Sequence, residues 1–261
     1  MIELSADTTL YVRADGNDAN DGSSNTPAGA FATLQAAYDY ACNTFFLRGH
    51  KLTIQIGDGQ FVGLTTSRAV LGADHPDYVT IRGNGDSTAL LQGAGQACVH
   101  VGNGETGNAK LTVTNLTLYA PAGYGLLAFG GGCAIHYGCI RFNTCGPAHI
   151  AASHNSWVYQ KENQPCVVAG GAQAHISVNT NAIVATHGGT LTFQNSPNFS
   201  YAFVSAVGGG RAYPWPMTYN GAGSVTGSKF AIGPGSAIDG GGNANNLAGN
   251  AAGTNNQGWY I

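Results

Sequence analysis

From Lys51 onward the chain is a succession of short β-prone segments, each closed by a cluster of Gly, Asn, Asp or Pro. Leu52-Thr-Ile-Gln-Ile56, Tyr78-Val-Thr-Ile81, Leu111 to Leu118, Ala134-Ile-His-Tyr137, His175-Ile-Ser-Val178 and Gly189-Thr-Leu-Thr-Phe193 are examples. The punctuation leaves no room for long helices, because Gly and Pro break them and Asn and Asp favour turns. The segments begin roughly 15 to 40 residues apart, an irregular spacing that suits the coils of a solenoid whose turns vary in length. Glycine supplies the corners: it fills 40 of 261 positions, about twice its usual share of roughly 7 %.

Two other architectures are disfavoured. An antiparallel sandwich or barrel would show paired strands joined by Asn-Gly hairpins at about 8–12 residue spacing; Asn84-Gly85 and Asn220-Gly221 occur, but regular hairpin pairs do not. A helical bundle needs charged solvent faces, and only 9 % of this chain is Asp, Glu, Lys or Arg. Disorder is excluded by the 43 % hydrophobic content. The expected fold is therefore all-β, a single-stranded parallel β-helix.

The first 50 residues read differently. Leu10-Tyr11-Val12 is a short strand, and Asp15 to Gly22 is a loop dense in turn-forming residues. Thr33 then caps a helix in which Leu34, Ala37, Tyr38, Ala41, Cys42 and Phe45 recur on one face. Such a helix needs an apolar surface, and the open N-terminal end of a stacked sheet offers one. The expected organisation is residues 1–50 as strand, loop and capping helix, 51–240 as solenoid body and 241–261 as closing segment.

One internal echo is more specific. Ala148-His149-Ile150 and Ala174-His175-Ile176 repeat at a distance of 26 residues, which places the histidines on successive coils about 4.8 Å apart.

Charge and motifs narrow the partners. A net charge of −3 and the absence of any Lys/Arg cluster leave no electrostatic footprint for nucleic acid or an anionic membrane surface. The N-terminus carries no cationic region followed by an apolar run, so synthesis in a cytoplasm without a signal peptide is expected. Six cysteines show neither C-x-x-C nor metal-ligand spacing and read as reduced, buried thiols. The Asp15–Asp21 loop bunches oxygen ligands but lacks the EF-hand glutamate, and Gly130–Gly132 and Gly208–Gly210 lack the Lys-Ser/Thr of a phosphate loop. No cofactor and no metal site is expected.

Both ends carry recognisable motifs. Tyr11-Val-Arg-Ala-Asp15-Gly-Asn-Asp-Ala-Asn-Asp21-Gly22, continuing through Thr26-Pro27 to Phe31-Ala-Thr-Leu-Gln-Ala-Ala37, resembles the opening of phage and prophage right-handed β-helix proteins of the pectin-lyase-like superfamily. Thr53-Ile-Gln-Ile-Gly-Asp-Gly59-Gln-Phe61 is similar to their first coil. Asp239-Gly-Gly-Gly-Asn243, Leu247 to Thr254 and Gly258-Trp-Tyr260 look like the closing segment of tail-associated members. The resemblance implies a right-handed coil and a tail spike or fibre on the virion. It further implies a homotrimer that meets bacterial surface polysaccharide and other virion proteins.

Fold does not settle activity. Glycoside hydrolysis needs two carboxylates roughly 5–9.5 Å apart, yet between Glu105 and Asp239 the only acid is Glu162. A pair would have to form across a trimer groove, with Glu162 meeting Asp239 or Glu105 of a neighbour. A metal-free lyase needs a base and a group that neutralises a uronate. Lys161, Arg141, Arg211, His149, His154, His175, Tyr159 and Tyr213 are of suitable type. If the chain is an enzyme, Glu162, Asp239 and Lys161 are the catalytic candidates. For glycan contact the candidates are His149 and His175 together with Arg211, Tyr213, Trp215 and Tyr219. In that last segment prolines prevent regular pairing and aromatic faces suit sugar rings, although burial in a subunit interface would use the same composition. The expectation is a virion module that binds host polysaccharide or serves structurally, the alternative being a polysaccharide lyase or hydrolase.

Overall fold

The computed structural model describes residues 1–91, 96–103, 108–186 and 188–261. It is a parallel β-solenoid of about 7 turns, with 48 % of residues in strands and 9 % helical. Each full turn contributes a strand to each of three rows. The first row includes Leu52–Ile56, Val79–Arg82, the start of Lys110–Ala120, the start of Ala134–Cys145, Trp157–Gln160, Ile183–Ala185 and Arg211–Tyr213. The second runs through Gly59–Val62, Thr88–Leu91, Cys166–Val168, Thr190–Phe193 and Thr218–Asn220, and the long strands bend to serve both rows. A separate sheet, which includes Ala97–Gly102, Tyr124–Phe129, Ala148–Ser153, Ala172–Val178 and Asn198–Ala206, forms the third. Every pairing between these strands is parallel, so the antiparallel alternative is excluded.

The alternation of apolar and polar residues decides which side faces in. Leu111, Ile135, Val158, Val184, Ala212 and Ile238 stand in register on successive rungs of the first row, all fully buried. Leu126, Ile150, Ile176 and Val204 do the same in the third row. Burying each such side chain contributes about 1.5–3 kcal/mol. Like residues stack on like, so each coil completes the core of its neighbours.

Corners depend on left-handed backbone. Asn115 (φ 60°) and Cys139 (φ 51°) occupy the bend between first and second rows on successive rungs. The Asn115 side-chain amide donates to the Gly83 carbonyl one coil away (3.1 Å). Asn tolerates this region through local hydrogen bonding, whereas Cys at the same position is unusual. At the return corner His154 and Asn155, then Thr180 and Asn181, repeat the conformation, and the Asn155 N–H donates to the Thr180 carbonyl (3.0 Å).

The helix spans Leu34–Thr44 and covers the N-terminal end, touching strands Thr8–Val12, Leu52–Ile56 and Leu64–Thr66. Thr33 Oγ1 accepts from the Ala36 N–H (3.2 Å), and Leu34, Ala37, Tyr38, Ala41 and Cys42 form the buried face. Phe45 leaves the helix and pairs in parallel with Ile2, because its extended backbone has begun a strand. The Asp15–Asp21 loop is held by its own side chains: Asn17 and Asp21 accept from backbone two residues on, and Asp18 accepts from the N–H groups of Ala32 and Thr33. All six cysteines are free thiols, and only Cys139 is partly exposed.

Gly227 (φ 112°) shows the cost of a corner side chain, since a Cβ there would strike the Phe199 carbonyl, whereas one at Gly223 would meet open space. Gly227→Ala should lower unfolding free energy by about 1–3 kcal/mol, while Gly223→Ala should stay within about 0.5 kcal/mol. Urea unfolding midpoints of the two variants check this.

Candidate functional site

Outward positions of the first row form columns of their own. One runs Thr9, Thr53, Thr80, Thr112, His136, Tyr159, Ala185, Tyr213. The next runs Lys110, Ala134, Trp157, Ile183, Arg211, Ala237, Trp259. The first column thus begins with threonine and carries aromatic rings from His136 onward, interrupted by Ala185, while the second carries Lys110 and Arg211 with the tryptophans Trp157 and Trp259. Trp157 and Tyr159 lie edge to face at 5.6 Å, and Tyr159 and His136 at 6.0 Å.

A short turn lies across this face. Residues Pro76–Tyr78 form a 3₁₀ turn, so that Tyr78 precedes the strand, which starts at Val79. Lys110 Nζ donates to the Asp74 carbonyl (2.8 Å), and the Thr112 hydroxyl lies 3.1 Å from both the Pro76 carbonyl and Asp77 Oδ1. The turn is thereby pinned over the following rung and presents Asp77 to later coils. Asp77 Oδ1 accepts from Lys161 Nζ (2.8 Å) and lies 3.3 Å from His136 Nδ1. His75 caps the turn, its Nδ1 accepting from the Asp77 N–H (3.3 Å), and its ring meets that of His136 edge to face at 5.1 Å. Beside them opens a cleft of about 410 Å³ bordered by Asp77, His136, Tyr159, Lys161, Glu162 and Gln164.

The charges balance locally. Partial burial works to raise the Asp77 pKa, but the hydrogen bond and charge of Lys161, with hydrogen bonds from His136 and Thr112, outweigh it and hold the carboxyl at about 2. Burial pushes His136 down from its ordinary value although Asp77 opposes that shift. The cluster therefore holds a carboxylate, an ammonium and a neutral imidazole.

The structure sorts the sequence candidates. Lys161 and Glu162 both border the cleft, Lys161 through its bond to Asp77. Asp239 follows the Ala237–Ile238 rung, where its Oδ1 accepts from the Gly241 N–H (2.9 Å). That rung is three beyond Trp157–Gln160, so Glu162 and Asp239 of one chain are separated by about 14 Å along the axis. They do not form a hydrolytic pair within a chain, and Glu105 lies outside the described residues. Arg211 is exposed and Tyr213 half-buried on the first row, with Trp215 exposed just beyond them and its ring against Gly241. Among the other lyase candidates, Arg141 faces Asp86 (3.7 Å) and His154 Nδ1 meets Ser153 Oγ (2.6 Å).

Three candidates for glycan contact are corrected. His149 and His175 do occupy equivalent positions on successive coils, but inside the solenoid, at 0 % and 2 % exposure. Their Nδ1 atoms are 3.0 Å apart, so one donates and the other accepts, and Phe142, Phe199 and Phe203 surround them. Ile150 and Ile176 beside them also face the core, so strict strand alternation is interrupted here, and the imidazoles lie where no polysaccharide reaches. Tyr219 also turns inward: its ring packs against Phe193 and Phe203, and its hydroxyl donates to the Pro214 carbonyl (3.2 Å).

Asp77, His75 and His136 were not among the sequence candidates. His136 and Lys161 are 59 and 84 residues from Asp77, and no local motif spans such distances. Only the coil register and the turn that crosses it bring them together. Comparison with known proteins returns no match to a family model, to a curated protein or to a solved structure.

The interior histidines set a pH dependence. Burial lowers His149 to about 3, and burial with the His149 neighbour holds His175 well below its ordinary value. Both are neutral when folded and protonate near 6.5 when unfolded. The unfolded state therefore binds more protons below that pH, and stability, complete above about 6.5, falls as the medium is acidified toward about 3. Urea unfolding from pH 7 to 4 should show this decline, and a folded His149→Phe, His175→Phe double variant should flatten it.

Proposed function

We propose that the chain is a polysaccharide-binding solenoid of a virion surface appendage, assembled as a homotrimer, that engages bacterial surface glycan along the outer face of its first row. The observation that carries the reading is the register of that face: Trp157, Arg211 and Trp259 in one column and His136, Tyr159 and Tyr213 in the next, with exposed Trp215 beyond. Sugar rings have apolar faces and hydroxylated edges, and flat aromatics with neighbouring polar groups answer both. The rungs repeat at about 4.8 Å, so a periodic surface faces a periodic polymer. The virion setting and the trimer rest on the motifs at the two ends of the chain.

A depolymerase is the second reading, and a specific observation favours it. Lys161, Tyr159, His136 and Glu162 border one cleft, which brings together side chains suited to proton transfer and to neutralising a uronate.

The purified chain should bind at least one member of a panel of bacterial capsular and O-antigen polysaccharides. Trp215→Ala and Arg211→Ala should each weaken that binding by about tenfold or more while unfolding midpoints hold. Light scattering should give three times the 26.6 kDa chain mass. Binding unaffected by either substitution would overturn the assignment of this face, and release of unsaturated uronates or new reducing ends would shift the function to the second reading.

A further inference from the structure

The turn that crosses the first row places two imidazoles and a carboxylate around one point. One ligand atom from each of His75, Asp77 and His136 lies within 4.8 Å of the others. His136 Nδ1 lies 3.3 Å from Asp77 Oδ1, and His75 Nδ1 lies 3.8 Å from the other carboxylate oxygen, Oδ2. A tetrahedral site with bonds of about 2.0–2.1 Å to nitrogen and oxygen has edges of about 3.4 Å. Each imidazole already stands near that distance from one oxygen of the carboxylate, and side-chain rotation would bring the three ligand atoms, all within 4.8 Å of one another, around a common centre.

We propose that His75, Asp77 and His136 form a binding site for a divalent transition-metal ion of the zinc type. Two nitrogens and one carboxylate oxygen suit an ion of borderline softness, whereas calcium takes six to eight oxygen ligands and magnesium an octahedral oxygen shell. The backbone prepares the site. His75 and Asp77 belong to one turn that Lys110 and Thr112 tie to the rung beneath, and His136 rises from the next rung. The Thr112 hydroxyl, 3.1 Å from Asp77 Oδ1, acts as an outer partner that orients the carboxylate. A fourth position is left for water or for an oxygen of a bound ligand.

Lys161 is the built-in competitor. Its ammonium sits 2.8 Å from the same Asp77 oxygen, where a dication would repel it. Its side chain is 41 % exposed, so it can swing into solvent when an ion enters. The cluster thus has two arrangements, one closed by lysine and one closed by metal. The inference concerns these four side chains alone and stands whether or not the face binds glycan.

Calorimetric titration of the untagged chain with Zn²⁺ tests it. One ion should bind per chain, and Co²⁺ in its place should give the visible bands of a four-coordinate nitrogen and oxygen site without a thiolate charge-transfer band. Asp77→Asn, His136→Ala and the exposed His75→Ala should each weaken Zn²⁺ binding by more than about tenfold, and Lys161→Met should tighten it. His50→Ala, a surface histidine 3.7 Å from Asp7, should leave it unchanged. No Zn²⁺ binding up to millimolar concentration, a thiolate band with Co²⁺, or a folded His75→Ala variant that binds as tightly as the parent would each overturn the proposal.

Discussion

The structure depends on the parallel backbone ladder from coil to coil. Interior strands satisfy their N–H and C=O groups on the rungs above and below, and among the described residues no strand pairs with the next strand in sequence. Side chains at equivalent positions are thereby stacked at about 4.8 Å. Apolar columns inside and mixed columns outside both follow. So does the need for a cover, since the first coil exposes unpaired backbone and core, and the Leu34–Thr44 helix supplies that cover at the N-terminal end. Energetically each coil contributes its own burial and its two interfaces, as in other solenoids.

The same ladder carries two pairs of polar groups with opposite outcomes. His149 and His175 are stacked inward, where desolvation exceeds any gain from charge, so both stay neutral and share one hydrogen bond. Asp77 and Lys161 meet at the surface, where desolvation is partial and the opposite charge outweighs it. A half-exposed ion pair of this kind contributes at most about 1 kcal/mol to stability. Its importance is positional: it holds a charged pair beside a neutral imidazole at the edge of a cleft.

The outer face of the first row gathers this chemistry because the turn of Pro76–Tyr78 reaches across to later coils. A loop that stayed within its own coil would leave Asp77 beside the rung it precedes. Pinned instead over the rung of Thr112, it reaches His136 and Lys161 on later rungs. The aromatic columns continue past it, so one surface combines a charged, imidazole-rich cluster with a periodic apolar track.

Much of the architecture was legible in the residues. Turn-bounded segments without hairpin spacing implied parallel coils, helical spacing from Leu34 implied the cap, and the Ala-His-Ile echo implied stacked histidines. These are local patterns, and the ladder obeys local patterns because each rung follows from strand alternation and corner chemistry. What the echo did not determine was the face: Ile150 and Ile176 point inward beside the histidines, so the alternation that would have sent His149 and His175 out is interrupted there, and Tyr219 packs inward as well. The cluster of His75, Asp77, His136 and Lys161 was invisible for a different reason. It is built between coils, from residues whose separation depends on the lengths of the intervening turns, and only the stacked structure sums those lengths into a distance.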